Sequence, residues 1–65
     1  MKVLINSLKR QIERNEQLLK KYGDSLPERL AKTLIQRDLE FAKDALDRKD
    51  AKDMLKAYNL LRKNE

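Results

Sequence analysis

Four aspartates recur at every third position, Asp44, Asp47, Asp50 and Asp53. Such a string of carboxylates first suggests a cation site. A helix–loop–helix calcium site needs a different spacing, a central glycine and a closing glutamate. Here Lys43, Arg48, Lys49 and Lys52 interleave the acids. The pattern therefore reads as helix-terminal charge with exposed ion pairs, such as Asp44 with Arg48 four residues on. The other familiar chemistries lack their parts. Without His there is no side chain of ordinary pKa near 7 to act as general base, and without Cys or His there is no zinc site. Ser7, Ser25 and Thr33 have no base to activate them. The single glycine, Gly23, cannot make a glycine-rich phosphate loop. No catalytic site, metal or cofactor is expected.

The elements that position these residues read as three helices. Met1, Ile5, Leu8, Ile12, Asn15, Leu19 and Tyr22 alternate steps of four and three, a heptad-like seam with one polar member. Leu4 and Leu18 widen it. This predicts a first helix over 2–22, closed by Gly23 in the left-handed conformation of a C-cap, with Lys20 and Lys21 in the last turn. Ser25 and Glu28 have capping-box spacing, with Pro27 in a first turn where its missing N–H costs nothing. A second helix is expected over 26–47, antiparallel to the first across the short link.

At about 100° per residue, Leu30, Ala31, Leu34, Ile35, Leu39, Phe41, Ala42, Ala45 and Leu46 fill one half of this second helix. The apolar stripe Ala51, Met54, Leu55, Tyr58 and Leu61 would lie on the opposite side of an unbroken helix. One straight helix cannot bury opposite faces in one small core, so a turn is expected near 48–50. Asp50 becomes the N-cap of a third helix over 51–63, with Asp53 in its first turn. The competing arrangement is one long helix whose two faces are covered by different chains. The expected fold is all-α: a single domain, 1–65, built as a small antiparallel three-helix bundle.

A chain of 65 residues that is 40% apolar and 42% charged has little core to work with. A domain this small buries only about 60% of the surface that its unfolded form exposes. Good helix packing must compensate, or a second copy or a partner must complete the core. No apolar run approaches the roughly 20 residues of a membrane-spanning helix, or the shorter stretch of a signal peptide. The expected location is the cytoplasm.

Asn15, Asp38 and Tyr58 each fall inside an apolar stripe. A buried carboxylate is costly unless paired. Helix register places Gln11 and Tyr58 near Asp38, so its expected donors are the Tyr58 hydroxyl or the Gln11 amide. A polar network of this kind fixes register between helices.

The formal net charge is +5, and it is unevenly spread. Residues 1–22 carry +4, residues 23–47 carry −2 and residues 48–65 carry +3. An acidic middle helix between basic neighbours is itself a reason for assembly. One feature survives that discount. Val3, Ser7, Arg10, Arg14, Gln17 and Lys21 form a ridge without an acid, bordered by Gln11 and Leu18. Such a ridge suits an acidic protein surface or a phosphate backbone. Against nucleic acid stand the long helices and the position of Tyr22, Phe41 and Tyr58 on core stripes, which leaves no stacking platform. In favour stands a pI near 9.7.

Length, charge and helical pattern are of the kind met in small accessory or regulatory proteins of bacteria, phages and plasmids, an analogy of composition alone. The expectation is a non-enzymatic protein that binds and modulates or inhibits a larger protein through Arg10, Arg14, Gln17, Leu18 and Lys21. The partner would offer an acidic or apolar groove. A second copy of the chain is a further candidate partner, and a DNA- or RNA-binding regulator is the alternative.

Overall fold

Three helices form because three apolar stripes at helical spacing are separated by two sets of capping residues. The computed structural model describes residues 2–64. Met1, the first member of the expected seam, lies outside them. The elements are α1 (Lys2–Leu19), α2 (Leu26–Arg48) and α3 (Ala51–Lys63). Each packs against the other two, giving a three-helix bundle with no strand among the described residues.

The link from α1 to α2 departs from expectation in one respect. No glycine has a positive φ, so Gly23 is not a left-handed cap. The helix instead ends at Leu19 and tightens into successive short turns, in which Lys20, Lys21 and Tyr22 donate to the carbonyls of Gln17, Leu18 and Leu19. Lys20 and Lys21 consequently lie beyond the last helical turn. The role of Gly23 is close approach. Its N–H donates to Glu28 Oε2 at 2.6 Å, and a Cβ there would stand 3.1 Å from both carboxylate oxygens.

The start of α2 is as its residues imply. Ser25 is the N-cap and accepts from the Glu28 N–H, while its hydroxyl donates to Glu28 Oε1 at 2.6 Å. The Ser25 hydroxyl first, and the Gly23 N–H second, hold the Glu28 carboxyl below its ordinary value of 4.5.

The turn between α2 and α3 falls where the opposed stripes require it. Lys49 adopts φ 55° and ψ 37°, the left-handed region that usually selects glycine. Its N–H donates to the Leu46 carbonyl, and the Asp50 N–H donates to the Ala45 carbonyl at 3.2 Å. Those two bonds occupy two of the last four carbonyls of α2. Asp50 then caps α3 by accepting from the backbone of Lys52 and Asp53. Arg48 closes the corner by donating to Asp44 at 2.9 Å, Asp50 at 3.4 Å and Asp53 at 2.9 Å. Three of the four periodic aspartates thus serve one guanidinium, with Asp53 and Asp44 raising its pKa in that order.

Leu8, Ile12, Ile35, Leu39, Ala42, Ala45, Met54, Ala57 and Leu61 form the core, with Leu18, Tyr22, Phe41 and Tyr58 packed against it. Alanines at 42, 45 and 57 let the helices approach closely. Four members of the expected apolar stripes are instead on the surface, Ala51 at the start of α3 and three leucines. Leu30 is 67% exposed, Leu34 53% and Leu55 53%. Ala57 takes the core position on α3 that Leu55 was expected to share.

Candidate protein-binding face

The ridge on α1 follows from its phase. Leu8, Gln11, Ile12 and Asn15 turn inward, so residues on the outer side at spacings of three and four must face solvent. Val3, Arg10, Arg14 and Gln17 are exposed, Ser7 and Leu18 are half-buried, and Lys21 is exposed in the turn after the helix. The described residues therefore keep Arg10, Arg14 and Gln17 together on one helical face. Lys21 joins them only from the link.

The ion pairs between helices do not follow the segment charges. Lys43–Glu16 at 3.1 Å and Arg48–Asp53 at 2.9 Å both place the base on α2 and the acid on an outer helix. That is opposite in sense to an acidic middle helix neutralising its neighbours. Of the two acids of α1, Glu16 is turned to Lys43, while Glu13, three residues from Arg10 and four from Gln17, borders the ridge on its outer side.

The polar residues of the interior divide into two separate arrangements. Asn15 is fully buried and donates to the carbonyls of Gln11 at 2.9 Å and Leu61 at 3.1 Å, which ties α1 to the last turn of α3. Its Oδ1 and the Oε1 of buried Gln11 have no hydrogen-bond partner. Asp38 is only half-buried and accepts from Asn64 Nδ2 at 3.2 Å, rather than from Tyr58 or Gln11. The expected single network of Asn15, Asp38 and Tyr58 is thus replaced by an Asn15 clamp and an Asp38–Asn64 pair, with Tyr58 half-buried against the core. Asp38 sits where the end of α3 leaves the side of α2 open, which a wheel drawn for α2 alone does not register.

That same opening produces a feature that sequence reasoning missed. Leu26, Leu30 and Leu34 are 73%, 67% and 53% exposed and follow one another at four-residue steps. Their spacing alone could not distinguish a core stripe from a surface one. Among the described residues, shallow grooves include one between α1 and α2 over Ile5 and Leu46 and one between α2 and α3 over Phe41 and Leu60. No helix among the described residues is long and apolar enough to cross a membrane.

No protein-family model, curated protein or solved structure matches the chain.

Proposed function

We propose that this chain is a non-enzymatic binding protein that engages a larger protein through the basic and apolar face of α1, and so modulates or inhibits it. The carrying observation is the acid-free line of Arg10, Arg14 and Gln17 on one exposed face beside Leu18, with Lys21 just beyond. Helical docking draws affinity from apolar anchors and selectivity from the charges around them. Both kinds of residue are present side by side.

A nucleic-acid-binding reading draws on the net charge of +5 and on the cluster of Asn59, Arg62 and Lys63 on α3. Protein is favoured over it because Tyr22, Phe41 and Tyr58 all pack against the core. Each ring is half-buried there, so none stands fully exposed as a platform for a base.

The deciding experiment is affinity capture from the source organism with the wild-type chain and an Arg10→Glu/Arg14→Glu variant, alongside a salt titration against duplex DNA and RNA. A protein retained by wild type and lost by the variant supports the reading. Equal retention by both removes the assignment to α1. Binding to duplex that falls log–log with salt, at a slope set by the phosphates neutralised, makes nucleic acid the partner instead.

A further inference from the structure

The third helix holds a single acid, Asp53, and its carboxylate is turned to Arg48 on α2. The exposed residues of α3 include Lys52, Lys56, Arg62 and Lys63 and no acid. Its outer side is therefore more uniformly basic than that of α1, where Glu13 and Glu16 are both exposed.

The basic sides of α1 and α3 meet along one groove. Both helices run antiparallel to α2 and so parallel to each other, with Asn15 opposite Leu61, 46 residues on. On α1, Glu16 marks the side toward α2 and Asn15 the side toward α3. At about 100° per residue, Ser7 and Arg14 lie past Asn15 on the side away from Glu16, with Val3 and Arg10 just beyond. On α3, Asp53 and Asn64 mark the side toward α2. Tyr58, Arg62 and Leu55 lie across the core line of Met54 and Leu61 from them, and so toward α1.

This groove has an apolar floor and basic margins. Val3 is 79% exposed and Leu55 53%. In the Asn15–Leu61 register Val3 falls opposite residue 49, about 9 Å along the groove from Leu55 at 1.5 Å per residue. Tyr58 and Ser7 are half-buried beside them. Arg10 and Arg14 stand exposed on the α1 margin and Arg62 on the α3 margin. The described acids lie elsewhere. Glu13 is on the far side of Arg10 from α3, Glu16 is turned to Lys43, and Asp50 and Asp53 are bound to Arg48. The acids of α2 sit on the helix that packs against the opposite side of both α1 and α3. Glu65 lies outside the described residues.

We propose that the binding face spans two helices, and that the α1–α3 groove receives an acidic amphipathic helix of the partner protein, with its apolar side on Val3, Leu55 and Tyr58 and its carboxylates toward Arg10 and Arg62. The proposal rests on the protein-binding reading above and names the partner element and the share of α3 in holding it. Charge complementarity selects the acid, and the exposed leucine and valine select an occupant with apolar side chains over a phosphate backbone. A symmetric second copy is a poor occupant. Pairing this face with itself sets Arg10 and Arg62 of each copy against the same cations of the other, and like charges across a seam oppose association.

The test uses three synthetic 18-residue helical peptides: one with leucine on one face and glutamate on the other, one with lysine in place of the glutamates, and one with glutamine in place of the leucines. Each is titrated into the full chain, followed by fluorescence anisotropy and amide chemical shifts. The expected result is saturable binding of the leucine–glutamate peptide, with shifts concentrated at residues 3–14 and 51–62, and at least tenfold weaker binding of the other two. Leu55→Gln/Arg62→Gln should weaken that peptide at least tenfold while keeping the melting temperature, because both side chains are exposed. Absence of binding, equal binding of the lysine or the leucine-free peptide, shifts centred on α2, or binding indifferent to the α3 variant overturns the proposal. So does duplex DNA that displaces the peptide from the same residues at equal or lower concentration, which would make phosphate the ligand, or a wild-type dimer in light scattering that the α3 variant converts to monomer, which would make a second copy the occupant. If capture of a cellular protein depends on Arg10 and Arg14 but not on Leu55 and Arg62, the broader reading stands and this one falls.

Discussion

The side-chain amide of Asn15 donates to the Leu61 carbonyl at 3.1 Å across the interface of α1 and α3. Leu61 contributes one of the last four carbonyls of α3, which have no partner inside the helix ladder, and it also accepts from the Asn64 N–H at 3.1 Å. The clamp therefore adds a second bond to a carbonyl that already has one, while Asn15 Oδ1 stays buried without a partner. A polar residue at a core position specifies register at a cost in stability.

Asn15→Leu is accordingly expected to raise stability by about 1 kcal/mol, since apolar burial replaces a half-satisfied amide and orphans no carbonyl. For a domain of this size that is a rise of about 4–8 °C in Tm. Urea denaturation checks it. A loss of stability would mean that the bond to Leu61 outweighs the orphaned oxygen.

Lys49 provides a second route to greater stability. A left-handed backbone costs an L-residue about 1–2 kcal/mol that glycine does not incur. Lys49→Gly should therefore stabilise the chain by about 1 kcal/mol after allowing for the greater freedom of glycine when unfolded. Lys49→Val should destabilise it by at least as much. If glycine lowers Tm, the lysine side chain must be supporting the corner in some other way.

The two turns show how far the sequence could be read. Ser25 and Glu28 mark the start of α2, and Asp50 that of α3, because a capping side chain works within three residues of itself. Helix starts of that kind are legible in the sequence. Gly23 does not take the left-handed conformation expected of it, and Lys49, of which no role was expected, does, because the left-handed residue is selected by which carbonyls the chain must satisfy, and that depends on the packing of α2 against α3. Leu30 and Leu34 were legible as members of an apolar stripe but not as surface residues. A helical wheel reports which side a residue occupies, not how far the neighbouring helix extends along it. The exposure of Arg10, Arg14 and Gln17 was legible from phase alone. Whether such a face docks or is merely solvated was not, because both uses select the same residue types.

The Glu28 cap links stability to pH with a definite sign. Its carboxyl is held below its ordinary value of 4.5, first by the Ser25 hydroxyl and then by the Gly23 N–H. A depressed folded-state pKa contributes stability above the unfolded value, and that contribution is lost as pH falls through the folded one. Glu28→Gln keeps the capping geometry and removes the charge. Wild type should exceed this variant in Tm at neutral pH, and the two should converge below about pH 4.5, once the carboxyl is protonated. A gap that does not change with pH would mean that the charge has no part in the cap.

The last prediction concerns Arg48, whose guanidinium is shared by Asp44, Asp50 and Asp53. All of these groups are substantially exposed, so screening by salt limits each pair. Arg48→Gln removes the shared cation and leaves three carboxylates crowded around one corner. It should lower Tm at low ionic strength by more than the loss of a single surface pair does, and the deficit should shrink at 1 M salt, where charges are screened within about 3 Å. Following with Asp44→Asn in the Arg48→Gln background should recover part of the loss, because it relieves the repulsion that Arg48 otherwise offsets. In the wild-type background the same Asp44→Asn change should be destabilising. A change of the same sign in both backgrounds would show that the corner is held by the Lys49 and Asp50 backbone bonds, with the ion-pair network adding nothing.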